Sequence, residues 1–357
     1  MSNLKMPSAE LRDIERLVRD IARTGPVVSL YLGLDDRADP NRILLRWRQQ
    51  RTLLEQRGAR PEDLQALEEE VASATFHPGR RALAAFATEG RAHLSWLLER
   101  ASIEDSSTVG PLPALVPLLS WEQRRTTYLI ALADHTGVDL TVGVWPNHDV
   151  EIRRVEGTDD EVTPHQSGGW AALAMTRYQR RVLDSWQHNA REAAQAIVEE
   201  ADAHQVDVIA LTGDLRSVQL LRSALPERLT GLVEVMPVGG TRGQAGASPR
   251  LQADLDAVIT SRAAKRDRAL LDRWHDLRGA AHRSVEGAIA TSRALEEEAV
   301  ETLLIGAHSV PRANVKVRDA LGSGATVHVL PDPLAGGLID RVGAILRHGV
   351  TVQRPNG

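Results

Sequence analysis

A chain of 357 residues exceeds the roughly 250–300 residues at which one hydrophobic core stops growing, so two or three domains are expected. Hydrophobic residues at 42% and charged residues at 25% suit a folded globular protein and argue against a disordered chain; the longest apolar runs, such as Tyr128 to Ala133, fall far short of the roughly 20 residues that cross a bilayer. The lack of cysteine excludes disulfides, iron–sulfur clusters, thiolate zinc sites and cysteine nucleophiles, and a net charge of −5 confines any RNA contact to local basic patches.

The first residues, Met1 to Leu11, contain no uninterrupted apolar segment with a small-residue cleavage site, so a cytoplasmic protein is expected. Apolar residues Leu11, Ile14, Leu17, Val18 and Ile21 recur at helical spacing and predict a helix over 8–23. A strand over 27–34, a turn containing Asp35, Asp36, Asp39 and Pro40, an arginine-rich helix over 41–57 and a second helix opening at Pro61 follow. Strands over 81–87 and 92–98 complete this unit. The stretch 104–120, with Gly110, Pro111, Pro113 and Pro117, reads as a connection, which places the first boundary near Trp121 and the first domain at 1–121.

The second domain, 122–262, opens with strands over 127–133 and 138–144, joined through the hairpin-like loop Asp134 to Gly137, and a third strand over 150–155. After a polar stretch, 171–205 contains neither proline nor glycine, which predicts a helix on the order of 50 Å long. Strand 206–212, helix 214–225, strand 232–237 and helix 249–262 then alternate, so this part of the sheet is expected to be parallel and the whole sheet mixed. The third domain, 263–357, is expected to be a small α/β sandwich, with helices over 265–278 and 284–301, strand 302–305, helix 312–321, strand 326–330 and helix 338–348. The fold class is therefore α/β, in three domains.

The long helix carries most of the chemistry. Met175, Val182, Trp186, Ala190, Ala193 and Ile197 form one packing stripe, while Arg177, Arg180, Arg181, Asp184, His188 and Arg191 share another face. Arginines on an amphipathic helix also make an ordinary solvated face. Here the face is nearly all positive in an acidic protein, and the adjoining loop, His165, Gln166, Ser167, Gly168, Gly169 and Trp170, brings an aromatic next to it, a combination suited to phosphates and unstacked bases. A second basic patch, Arg42, Arg46, Arg48 and Arg51 around Trp47, lies in the first domain beside Arg37 and Asn41. Lysine occurs only at Lys5, Lys265 and Lys316; a coding bias toward arginine is the simpler and favoured explanation, and the suitability of guanidinium for phosphate and base stacking is the functional alternative.

Ser167-Gly168-Gly169-Trp170, Arg177-Tyr178-Gln179-Arg180-Arg181 and Trp186-Gln187-His188-Asn189-Ala190 resemble the central domain of bacterial members of the archaeo-eukaryotic peptide-release-factor superfamily, which includes Pelota. The nearest resemblance is to the actinobacterial, Balon-like branch of ribosome hibernation factors. Gly287-Ala288-Ile289 and Val300-Glu301-Thr302-Leu303-Leu304-Ile305 are similar to the family's last domain. Release factors carry glutamine directly after the two glycines, where it positions water against the peptidyl-tRNA ester; here that position is Trp170, and Gln166 lies upstream of the pair.

The resemblance implies a protein of the 70S ribosome that occupies the vacant A site and inhibits translation under stress without catalysis. It places His165 to Trp170, Arg177, Arg180, Arg181 and His188 on large-subunit RNA, and Arg37, Asn41, Arg42, Arg46 and Arg48 on small-subunit RNA at the decoding centre. It adds elongation factor Tu or the stalk base as a contact of the last domain, and neither DNA nor a membrane as a partner. A peptidyl-tRNA hydrolase of ribosome rescue and a protein-binding scaffold without ribosome binding are the competing readings.

No cofactor is expected. The 12 histidines are scattered without a His-Glu-x-x-His pair, no Gly-x-Ser-x-Gly elbow occurs, and the glycine-rich stretch 239–246 lacks the Gly-Lys-Ser/Thr ending of a phosphate-binding loop.

Overall fold

The computed structural model describes residues 25–34, 40–75, 81–99, 103–146, 150–156, 171–237, 248–280, 283–308 and 312–348. The helix expected over 8–23 and the turn at 35–39 lie outside them. Two compact units result, one formed by Met1–Arg124 with Lys265–Gly357, the other by Arg125–Ala264. The first and last thirds of the chain thus share a unit.

Within the first unit, strands β1 (Val27–Leu34), β2 (Arg81–Thr88), β3 (Arg91–Glu99) and β4 (Ser106–Gly110) form an antiparallel sheet in the order β3-β2-β1-β4. β4 occupies the stretch expected to be a mere connection: Ser106 to Gly110 pair along β1 from Tyr31 to Val27. Side chains on β1 alternate between the sheet faces. Val28, Leu30, Leu32 and Leu34 pack under α1 (Pro40–Gln56) and α2 (Pro61–Thr75), against Ile43, Trp47, Leu64 and Leu67. Val27 and Tyr31 face the other way, toward α3 (Val116–Glu122) and residues of the C-terminal sheet.

That second sheet has the order β10-β13-β11-β12, from β10 (Ser284–Glu286), β11 (Val300–Gly306), β12 (Thr326–Leu330) and β13 (Val342–Leu346), with only β11 and β12 parallel. Helices α8 (Ala288–Glu296) and α9 (Ala313–Gly322) contribute to the shared core, while Trp274, Ala335 and Leu338 cover Leu304 and Ile345. Two expectations are corrected here. The helix expected over 284–301 divides into β10, α8 and the start of β11. The helix expected over 338–348 is instead the strand β13, whose five residues are all buried between β10 and β11. A short apolar run such as Val-Gly-Ala-Ile-Leu fits either period, and being buried on both faces favours the strand.

The second unit is a five-stranded mixed sheet, β7-β6-β5-β8-β9. Strands β5 (Thr126–Asp134), β6 (Gly137–Trp145) and β7 (Val150–Glu156) form an antiparallel meander, and β5, β8 (Val208–Gly213) and β9 (Val233–Val235) run parallel. Leu129, Ala131, Ile209 and Leu211 project to one side, covered by α4 (Ala171–Ala203) and α5 (Leu215–Ala224). Tyr128, Ile130, Val208 and Ala210 project to the other, where Leu251, Leu255 and Ile259 of α7 (Pro249–Ala280) pack; a short α6 (Glu227–Thr230) precedes β9. The mixed sheet with a long helix is therefore present. The two helices expected over 249–262 and 265–278 are one continuous element, α7. Among the described residues no helix is long and apolar enough to cross a membrane.

Candidate functional site

The long helix α4 is the element on which the candidate site is built. It has 33 residues, about 50 Å of rise, and its second half is anchored: Ser185, Asn189, Ala193, Ala194, Ala196, Ile197 and Ala201 are buried against the sheet and α5. Small residues dominate this face, which lets the helix lie close to the strands. Trp186, expected in the packing stripe, is only partly buried, and the polar Ser185 and Asn189 take the deeper positions.

The carboxyl ends of the parallel strands β5 and β8 meet the middle of α4. The hairpin between β5 and β6 is fixed by Asp134, whose Oδ1 accepts from Thr136 N (2.7 Å) and Gly137 N (3.1 Å). Asn189 Nδ2 donates to His135 O at 3.1 Å, tying the helix to this hairpin. The Trp186 ring lies 5.7 Å from that of His135, and the Arg216 guanidinium sits 4.9 Å from its centroid, a cation–π contact. Arg216 comes from the first turn of α5, which is capped by Asp214: its Oδ1 accepts from Ser217 N at 2.9 Å. A cavity of about 10 Å³ lies among Ala133, Asp134, Trp186, Asn189 and Ser217, room for roughly one water and for no organic cofactor. Nothing in the sequence pattern joins His135 and Arg216 to Trp186, because the three reside on separate elements.

His188 of the predicted basic face is exposed and lies 3.4 Å from Glu192, and Arg191 is exposed as well. Arg177, Arg180 and Arg181 fall within α4, but their side chains lie outside the described part, as do Met175, Val182 and Asp184. His165, Gln166, Ser167, Gly168, Gly169 and Trp170 lie outside the described residues altogether, immediately before the helix begins at Ala171.

The N-terminal patch divides into committed and uncommitted cations. Arg46 forms a two-pronged ion pair with Asp105, whose Oδ1 also accepts from Gly33 N at 2.9 Å, so its guanidinium joins α1 to β1 and the start of β4. Arg51 bonds Glu55 at 3.1 Å and also Glu68, and these two neighbours raise its pKa further. Arg42 and Arg48 are exposed on α1 and make no ion pair among the described residues. Between them on the same face is Leu45, 55% exposed, with Asn41 one turn earlier. Arg37 lies outside the described residues. Among the described residues, no group of three or more histidines and carboxylates is placed to hold a metal ion.

Residues 127–280, from β5 to the end of α7, match bacterial archaeo-eukaryotic release factor family 2. Over that span the chain is similar to the archaeo-eukaryotic release factors. The match takes in the mixed sheet, α4 with the cluster around Trp186, and the preceding 157–170; the N-terminal sheet lies outside it. Two uncharacterized proteins of Mycobacterium tuberculosis, MT2704 and Rv2629, are each 29% identical over 229 residues, 63% of this chain; the matched part spans 60% of their length. Among solved structures, archaeal Pelota from a model of ribosome-bound Pelota and ABCE1 is 14% identical, covering 95% of this chain and 94% of that one with a TM-score of 0.45. Saccharomyces cerevisiae Dom34, a translation termination-like factor, is 10% identical over 76% of this chain and 81% of its own, with a TM-score of 0.42.

Proposed function

We propose that this release-factor relative binds the ribosome, occupies its vacant A site and holds translation off under stress without cleaving peptidyl-tRNA. The reading is carried by the release-factor match over 127–280, because that span contains the glycine pair and the arginine-bearing start of α4. Anchoring of the second half of α4 by Asn189, Ala193 and Ile197 supports a helix whose first half presents a loop to RNA. The lack of catalysis follows from Trp170 at the position where release factors carry glutamine: an indole offers one N–H donor and no carbonyl to orient an attacking water. On the first domain the RNA contact falls to Arg42 and Arg48, with Asn41 and Leu45 on the same face, while Arg46 holds the fold together.

Co-sedimentation of the full chain with vacant 70S ribosomes tests this. Binding is expected at low salt, falling as salt rises, because each phosphate contact releases counterions. Reversing Arg177, Arg180 and Arg181 to Glu is expected to weaken binding and flatten the salt slope, and Arg42→Glu with Arg48→Glu to weaken it separately. Absence of ribosome binding would favour a protein scaffold. Peptide release from a loaded ribosome that depends on Gln166 would favour a hydrolase.

A further inference from the structure

The carboxyl ends of β5 and β8 carry a surface cluster that the ribosomal reading leaves without a task. In open α/β sheets, ligands settle beyond these ends of the parallel strands. Asp134 and Gly213, the last residues of the two strands, lead into the hairpin bearing His135 and into the start of α5 bearing Arg216. His135 and Arg216 both meet α4 at Trp186.

Trp186 is the unusual residue of the three. It lies between the buried Ser185 and Asn189, yet the residue as a whole is only half-buried. Its indole Nε1 is buried and has no hydrogen-bond partner. A buried donor left unpaired costs stability, and a phenylalanine would fill the same place with no donor to satisfy. Packing therefore does not account for tryptophan at this position. What tryptophan adds over phenylalanine is a wider ring with a stronger attraction for a cation.

That cation is Arg216, exposed, with its guanidinium 4.9 Å from the Trp186 centroid. Arg216 makes no ion pair among the described residues. The neighbouring acids serve backbone amides, Asp214 Oδ1 accepting from Ser217 N at 2.9 Å and Asp134 Oδ1 from Thr136 N at 2.7 Å. An ion pair ties up guanidinium N–H groups, whereas contact with a ring uses one face, so Arg216 keeps its other face for stacking and its N–H edge for an acceptor. The His135 ring, 5.7 Å from the indole and tilted by 39°, adds a second aromatic, and Asn189 Nδ2 fixes the hairpin that carries it. Leu215, 74% exposed in the first turn of α5, adds apolar surface beside Arg216 in the chain. A free anion would use the cation alone. An unstacked base uses the rings and the guanidinium face together, and the phosphate it carries uses the positive charge.

We propose that Trp186, Arg216 and His135 form a stacking site for an unpaired nucleobase of RNA, the base lying over the Arg216–Trp186 pair. The site rests on the RNA-binding part of the ribosomal reading and adds a contact on the anchored half of α4, apart from Arg177, Arg180 and Arg181.

The chain has seven tryptophans, so 5-fluorotryptophan labelling of the full-length protein gives seven fluorine-19 signals, and Trp186→Phe identifies the relevant one. Single-stranded hexaadenylate is titrated in one arm and inorganic polyphosphate of equal phosphate number in the other, at equal ionic strength. Hexaadenylate is expected to shift the Trp186 signal saturably, and polyphosphate to leave it in place. The affinity read at that signal should fall about tenfold in Arg216→Gln, a surface change that spares the core. It should stay unchanged in Arg228→Gln, which alters a surface arginine paired with Asp202. The proposal is overturned if hexaadenylate at millimolar concentration leaves the signal still, if polyphosphate moves it equally, or if Arg216→Gln retains full affinity. Co-sedimentation with ribosomes is scored separately. A shifted Trp186 signal without co-sedimentation keeps this site and removes the ribosomal reading, while co-sedimentation with a still signal removes this site alone.

Discussion

Gly213 shows how a single residue can be fixed by a partner 80 positions away. Its φ is 131°, and a Cβ there would come within 1.8 Å of Ala133 O and 2.8 Å of the Ala133 carbonyl carbon. Those atoms belong to the backbone of β5, held in the sheet on both sides by β6 and β8, so they cannot swing aside as a side chain would. Gly213→Ala is therefore expected to cost about 3 kcal/mol or more, read as a lower urea midpoint for the full chain; an unchanged midpoint would show that the two strands separate freely at this end. The sequence identifies Gly213 as a strand end beside Asp214, but it cannot show the constraint, which comes from Ala133. Trp186 poses the same difficulty: helical spacing puts it on the packing stripe, whereas its His135 and Arg216 neighbours arrive through tertiary structure. Arg46 likewise belongs to a visible basic cluster, and only the fold brings Asp105 to it.

At the scale of elements, legibility follows local chemistry. The start of α5 is readable because Asp214 is a strong N-cap residue, and the structure places its carboxylate on Ser217 N at 2.9 Å. Asp214→Ala is expected to destabilise the second unit by about 1 kcal/mol, measurable as faster amide hydrogen exchange in the first turn of α5; loss of much more would mean that Asp214 also supports the hairpin at Asp134. The long helix α4 is readable for the same kind of reason, an extended stretch without proline or glycine. β13 is not: its identity depends on being flanked by β10 and β11, and the second of these is more than 30 residues away in sequence. Nor is β4 visible among prolines and glycines until β1 pairs with it. Elements defined by their own residues can be read locally, while those defined by neighbours need the sheet.

At the scale of the molecule, the first unit is assembled from both ends of the chain. Val27, Tyr31 and Phe86 share a core with Leu303, Val317 and Val342, a grouping that no local pattern announces. Gln123, at the end of α3, makes the union specific. Its Oε1 accepts from Val329 N at 2.8 Å and its Nε2 donates to Val329 O, so one side-chain amide satisfies both backbone groups of a residue on edge strand β12, 206 positions away. Asp267 and His328, 2.8 Å apart, add a second link between α7 and the same strand. Gln123→Leu keeps the approximate volume but leaves a part-buried N–H and C=O without partners, a loss of about 1–3 kcal/mol. Because the first and last segments form one unit, that loss should not stay at β12: native-state hydrogen exchange is expected to speed up in both β1 and β11, while β8 of the other unit keeps its protection. If acceleration were confined to β12, the shared core would hold without the clamp, and Gln123 would serve only to cover the sheet edge.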